Sequence, residues 1–362
     1  MIIDIVLGLA GGKGGLENVL TTITQALQAK GHDVRVFQIM PSPYQEWEES
    51  LPKVFYYDYV RNHYGKGYEA EIEPLRYALG YRTLLDIIGV PDLILATHTP
   101  LFSFVTKMAV GYLGNSRPPI ISWIHGPTAA YGGGELLKFA DAHLAISASV
   151  GQDIKNTLTG DWPIFTINNP VSVDQLNTIQ RINDHLHLIY VGRIDNKQKR
   201  LDIMFQALAQ VKGSWELHLY GEGADEAILK SLANQLSIAE KLNWHGWLDH
   251  PWEAIDAATL LILTSDYEGF GLVLVEALAR GVPVIATNCE GPKDIIKDGE
   301  NGWLFPTGDY NRLAELLQNL IDKQLTLPAP EQCVQSVQQY TIDSVIKKME
   351  QGMLSTLAFY NP

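Results

Sequence analysis

The chain has 362 residues and a mass of 40.2 kDa, enough for two domains of ordinary size. It is 46% hydrophobic and 19% charged, with 31 Gly and 18 Pro, which excludes a disordered polymer, and it has no collagen-like glycine period. Its 27 Lys and Arg against 41 Asp and Glu give a net charge of −14, so it lacks the positive excess that broad binding to nucleic acid or an anionic membrane needs. Cys289 and Cys333 cannot make a disulfide framework, and no Cys/His spacing marks a zinc site, so a reducing compartment is expected. The start Met1-Ile2-Ile3-Asp4 reads as a first strand, not a signal peptide. The most apolar stretch, Leu93 to Val110, is interrupted by His98 and Lys107, so no transmembrane helix is expected.

In chain order, Ile2–Leu7 is an apolar run followed by a glycine-rich loop from Gly8 to Gly15. Leu16, Val19, Leu20, Ile23 and Leu27 then recur at helical spacing, and Gly31 stands where a helix ends. Val34–Phe37 is the next strand, which completes a strand–loop–helix–strand unit of the kind that builds parallel sheets. The polar, turn-rich stretch from Asn169-Pro170 to Asp184 reads as a hinge. Beyond it the grammar restarts: strands at Leu186–Val191, Glu216–Tyr220, Leu260–Thr264 and Val282–Ala286 alternate with helices at Leu201–Val211, Glu226–Leu236, Leu272–Arg280 and Asn311–Ile321. A last helix follows Asp343 or Ser344 as N-cap. The expected fold is α/β, with two doubly wound domains facing a cleft and ligands at the C-terminal ends of the strands.

Three features carry chemistry. Gly11-Gly12-Lys13-Gly14-Gly15 precedes a helix, where backbone N–H groups suit phosphate; the plainer reading is a turn. It matches neither G-x-G-x-x-G nor a Walker loop. Val191 to Arg200 sets Arg193, Lys197, Lys199 and Arg200 at the end of an apolar strand, either a focused anion site or a solvated loop. Third, Glu268 lies in the loop after a buried strand and Glu276 in the second turn of the next helix, among apolar neighbours. A carboxylate there is expensive unless hydrogen-bonded, and a ribose diol is a natural partner.

Glu268 and Glu276 form E-x7-E within Ser-x-x-Glu-Gly-Phe-Gly-x-x-x-x-Glu-Ala-Leu-Ala-x-Gly-x-Pro-Val-Ile-Ala. This resembles the retaining glycosyltransferases of family 4, which have the GT-B fold. Gly14-Gly15-Leu16-Glu17 matches that family's Gly-Gly-x-Glu loop, and Arg193 with Lys199 matches its diphosphate-binding pair. His143 to Ser147, Gly246 to Glu253 and Ser122-Trp123-Ile124-His125 resemble the bacterial lipopolysaccharide 1,6-galactosyltransferase branch.

The resemblance implies an acceptor-binding domain at residues 1–175, a nucleotide-sugar-binding domain at 176–342, and a helix at about 343–362 packing back on the first. It implies a hexosyltransferase in which Arg193 and Lys199 neutralise the leaving diphosphate. Gly14, Gly15, Gly221 and the Gly271 and Leu272 amides would line the nucleotide-sugar, Glu276 would hold the ribose, and Trp247 or Leu248 would pack on the base. Glu268 with Phe270 would hold the sugar hydroxyls, His125 would stand near the reacting centre, and His98 and Glu17 would lie on the acceptor side. No Asp-x-Asp occurs, so no metal and no cofactor is expected. A UDP-sugar is the expected donor, and a saccharide of a cell-surface glycan, glycolipid or glycoprotein the acceptor. The expected location is cytoplasmic, peripheral to the inner membrane face at most. Residues 1–174 carry 12 Lys and Arg against 17 Asp and Glu, which weighs against docking by a basic face. The fold leaves two alternatives: a sugar-nucleotide epimerase or hydrolase, and a non-catalytic subunit.

Overall fold

In the computed structural model, residues 1–12, 14–58, 72–172, 178–181 and 184–360 are described. The chain divides into two compact units, Met1–Pro170 with Ile342–Pro362, and Val171–Thr341. The sequence reading had placed these divisions at 175 and 342. Of its hinge, residues 173–177, 182 and 183 lie outside the described residues, as does Lys13 of the glycine loop.

The first unit is built on seven parallel strands: β1 (Ile2–Val6), β2 (Asp33–Gln38), β3 (Lys53–Tyr56), β4 (Leu93–His98), β5 (Ile120–Ile124), β6 (Ala142–Ala145) and β7 (Ile164–Thr166). Their order is β3-β2-β1-β4-β5-β6-β7. Runs such as Ile-Ile-Ser-Trp-Ile in β5 are buried throughout, as strands covered on both faces must be. The charged residue in β1 is Asp4, which accepts from Arg35 Nε at 2.5 Å and Tyr81 OH at 2.6 Å. Burial pushes its carboxyl up to about 6. Helix Gly15–Ala29 buries Val19, Leu20, Ile23 and Leu27, and Gly31 follows its end with φ +86°, as the sequence suggested. The last helix runs Ile342–Tyr360, starting before the Asp343 or Ser344 cap read from sequence. It packs on this first unit: Glu350 Oε1 meets His32 Nε2 at 3.0 Å, and a Cβ on Gly352 would stand 3.1 Å from Leu144.

The second unit has six parallel strands: β8 (Leu186–Val191), β9 (Trp215–Tyr220), β10 (Leu242–Gly246), β11 (Leu260–Leu263), β12 (Val284–Thr287) and β13 (Gly302–Phe305). The order is β10-β9-β8-β11-β12-β13. Strand β12 begins two residues later than expected, after Pro283, which has no N–H to give to the ladder. The helix at Leu201 ends at Leu208; Gln210 and Val211 close it with short bonds to Ala207 and Leu208. In each unit the strand order reverses beside the first strand, between β1 and β4 and between β8 and β11. Such reversals open a crevice at the carboxyl ends of the strands.

Candidate functional site

In the second unit, the loops leaving β8 and β11 flank that reversal point. Gly192 and Gly221 bring the β8 and β9 loops together backbone to backbone: a Cβ on Gly221, at φ +150°, would stand 1.9 Å from Gly192 O. Tyr190 OH donates to Arg193 O at 2.6 Å and fixes the loop from below. Asp195 then caps the helical turn Asn196–Lys199, accepting from the amides of Lys197 and Gln198. This turn aims Lys199 inward, and its Nζ lies 2.6 Å from Glu268 Oε1. Ser265 Oγ donates to the same oxygen at 2.6 Å, and Thr287 Oγ1 donates to Ser265 O. Thr264 Oγ1 donates to Lys199 O, and the Asp266 amide to Gln198 O, so the two loops form one network. Arg193 is exposed, with its guanidinium on Gln198 Oε1 at 3.0 Å. Arg200, in a left-handed conformation at φ +49°, clasps Asp202 and Asp266.

Helix Leu272–Ala279 starts from Gly271 at φ +92°, and no side chain caps it. Its first amides and the positive end of its dipole are therefore available to an anion. Phe270 is buried, its ring edge-on to Tyr340. Glu276 is partly buried, and burial raises its pKa. Trp252 Nε1–H donates to its Oε2 at 2.9 Å, and Arg280 stacks over the Trp252 ring at 4.8 Å. Trp247 and Leu248 are half-buried after the edge strand β10, with Trp247 Nε1–H on Asp249 at 3.1 Å.

In the first unit, Gly14 (φ +147°) precedes the helix that starts at Gly15. Glu17 is buried and turned back into the loop, where Oε1 accepts from the Gly11 amide at 2.9 Å and the Gly12 amide at 3.2 Å. Its carboxylate thus closes the glycine loop. His98 ends β4 at φ +78°, a conformation that costs a non-glycine residue about 1 kcal/mol. Its ring meets Tyr131 edge-on, and burial lowers its pKa while the Glu17 charge opposes that shift. His125 follows β5 and lies 3.1 Å by Nε2 from Thr97 Oγ1. The Thr97 hydroxyl donates its one proton to Trp123 O at 2.8 Å, so it accepts from His125 Nε2–H. Burial and His98 push the His125 pKa down to about 3. The ring is therefore neutral, with its Nδ1 lone pair free of that bond. Glu17, His98 and His125 thus gather at the ends of β1, β4 and β5.

Sequence reasoning did not single out Ser265, Thr97, Trp252 or the Arg200–Asp266 pair. Ser265 and Trp252 stand inside the motifs it quoted; Ser265 reaches Glu268 three positions on in the same loop, whereas Trp252 meets Glu276 only through tertiary packing.

Two parallel sheets of this order, with a cation-and-carboxylate network at the second sheet's reversal point, define the class as GT-B. Residues 13–175 match the family described as Glycosyltransferase Family 4, and residues 175–340 match Glycosyl transferases group 1. Between them these matches run through most of the chain, which belongs to this glycosyltransferase family. Among curated relatives, the chain is 36% identical over 210 residues to the lipopolysaccharide 1,6-galactosyltransferase of Escherichia coli K12, a match covering 56% of this chain and 58% of that one. Thus the chain spans little more than half the length of that relative. The fold resembles the apo lipopolysaccharide outer core galactosyltransferase WaaB (TM-score 0.85, 24% identity, 98% and 99% of the two chains covered). It also resembles Anabaena HepE in complex with UDP-glucose (TM-score 0.78, 18% identity, 98% and 100% covered).

Proposed function

We propose that this protein transfers a hexose, galactose or glucose, from a UDP-sugar to a saccharide acceptor on a cell-surface glycan, glycolipid or glycoprotein, with retention and without a metal. The observation that carries this reading is the Lys199–Glu268–Ser265 network at the reversal point of the second sheet. The relative named as a galactosyltransferase and the fold neighbour with UDP-glucose bound support the choice of donor.

In this reading Lys199 and Arg193 take the charge that builds on the diphosphate as the sugar bond breaks. The Gly271–Leu272 amides add donors at the same place. Fixed donors of this kind typically contribute ~10²–10³ each in rate. Glu268, already holding Lys199, accepts from the donor sugar's hydroxyls. Glu276 accepts from the ribose through an oxygen that Trp252 leaves free. His125, neutral and with Nδ1 unprotonated, serves as a hydrogen-bond acceptor, and Glu17 and His98 serve the acceptor saccharide. The leaving phosphate helps remove the acceptor's proton. Among the described residues no helix is long and apolar enough to cross a membrane.

The test is turnover of UDP-, GDP- and ADP-sugars over a saccharide panel, with mass spectrometry of the products. The expected result is hexose addition from a UDP-sugar, unaffected by EDTA, with UDP binding weakened in Glu276→Gln. Free sugar or an epimer formed without acceptor would instead establish a hydrolase or epimerase, and no turnover of any donor would leave a non-catalytic subunit.

A further inference from the structure

The second unit holds another concentration of titratable side chains, which sugar transfer does not use. It lies where β8 and β9 begin, whereas the Lys199 and Glu268 loops leave their strands at the far ends. At the rise of an extended strand, His187 to Gly192 spans roughly 16 Å.

His187 of β8 pairs in register with Glu216 of β9, so both side chains leave the same face of the sheet. His185, just ahead of β8, turns toward the same carboxylate. Glu216 Oε1 lies 3.0 Å from His187 Nδ1 and 3.1 Å from His185 Nε2. Ligand atoms around a tetrahedral ion, at bond lengths of about 2.0–2.1 Å, stand about 3.3 Å from one another. One ligand atom from each of the three residues lies within 4.8 Å of the others.

The hydrogen bonds show which atoms an ion would take over. His185 Nδ1 is 2.7 Å from Asp184 Oδ1, and a carboxylate there can only accept. Nε2 faces a second carboxylate, Glu216, so without a cation it donates there; a bound cation would take the Nε2 lone pair in place of that proton while Nδ1–H stays on Asp184. This carboxylate–histidine relay is the arrangement that orients imidazole ligands on metals. His187 Nδ1 is buried and makes no hydrogen bond despite its nearness to Glu216. Its ring is held flat by His218, stacked at 4.2 Å and 14°. His218 Nε2 lies 3.4 Å from the same Glu216 oxygen but also faces the Asn243 amide at 3.3 Å, and its Nδ1 is 2.9 Å from His245 Nε2. Two imidazole nitrogens and a carboxylate thus converge on one point.

We propose that His185 Nε2, His187 Nδ1 and the Glu216 carboxylate bind a borderline divalent cation of the zinc class, with a water completing the coordination. Two imidazoles and one carboxylate suit zinc better than calcium or magnesium. The ion pins the segment that enters β8 onto β9, a structural role separate from transfer.

The test is calorimetric titration of the chelator-treated full chain with Zn(II) alone. The expected result is one zinc per chain, with affinity at least tenfold weaker in His187→Gln and in Glu216→Gln, both checked for native circular dichroism. Asp184→Asn should weaken it about tenfold while UDP binding is unchanged. If the two ligand variants do not fold, Co(II) added to the unaltered chain decides: intense visible d–d absorption supports a four-coordinate site, and its absence overturns it. No saturable zinc uptake, or uptake that both folded variants retain, overturns the assignment and leaves a proton-bridged imidazolium–carboxylate cluster.

Discussion

Lys199→Met tests the central network most directly. Methionine keeps the length of the apolar stem but removes the ammonium that sits 2.6 Å from Glu268 Oε1. The two side chains are only 14% and 11% exposed, so solvent screens the pair weakly. Without Lys199, the Glu268 carboxylate keeps the Ser265 hydroxyl as its remaining partner in this network. Removing one partner of a buried pair costs about 3–5 kcal/mol, and the surviving hydroxyl bond and residual exposure place this site near 3. At about 2–4 °C per kcal/mol for a domain of this size, the second unit should melt about 6–12 °C lower. Lys199→Met combined with Glu268→Gln should regain about 2 kcal/mol, because a neutral amide tolerates that depth far better than a lone carboxylate. Guanidinium unfolding of the parent, both single variants and the double variant gives the coupling energy directly. A loss below about 1 kcal/mol for Lys199→Met, or a double variant no more stable than Lys199→Met, would refute the reasoning and mark the pair as solvent-screened.

Three further outcomes follow from the same geometry. Gly221→Ala should destabilise the second unit by about 3 kcal/mol or more in thermal unfolding, because its Cβ would meet Gly192 O at 1.9 Å; a loss under about 1 kcal/mol would mean the loops separate freely. Trp252→Phe keeps a ring beneath Arg280 but strips the hydrogen bond from Glu276, and should cost about 1.5–3 kcal/mol. The Glu276 carboxyl is already raised, so its folded form binds protons more tightly than its unfolded form, and this contribution to stability is lost as pH rises through the folded pKa. That loss should steepen in Trp252→Phe, and an unchanged pH–stability curve would contradict it. His125, at about 3, behaves in the opposite sense: below the ordinary histidine pKa the unfolded state binds the extra proton, so stability rises with pH from about 3 to about 6.5. The imidazole should show no NMR titration between pH 5 and 8, and His125→Asn should flatten the acid limb of the stability curve.

Much of this was legible in the chain itself. Apolar runs located six of the thirteen strands among the described residues, because a parallel strand covered on both faces needs an unbroken apolar sequence. Gly31 marked a helix end for a local reason, since a positive φ suits a residue without Cβ. Elsewhere the ends of elements moved by a few residues. Pro283 delays β12 by lacking a donor, and the last helix starts at Ile342, where a polar cap would place it later. The spacing of Glu268 and Glu276 was visible, but the neighbours of each were not.

The sequence by itself determined the class of fold, the two-unit organisation and the residues offered for chemistry, because periodicity, loop glycines and short motifs are local properties. Only the tertiary structure decided what those residues touch. It turned Glu17 onto the Gly11 and Gly12 amides and gave Glu276 the Trp252 indole. It paired Lys199 with Glu268 across 69 positions of chain and set His187 of β8 beside Glu216 of β9. The Lys199–Glu268 and His187–Glu216 pairings depend on strand order and register, which bring together residues far apart in sequence, and no local pattern encodes that proximity.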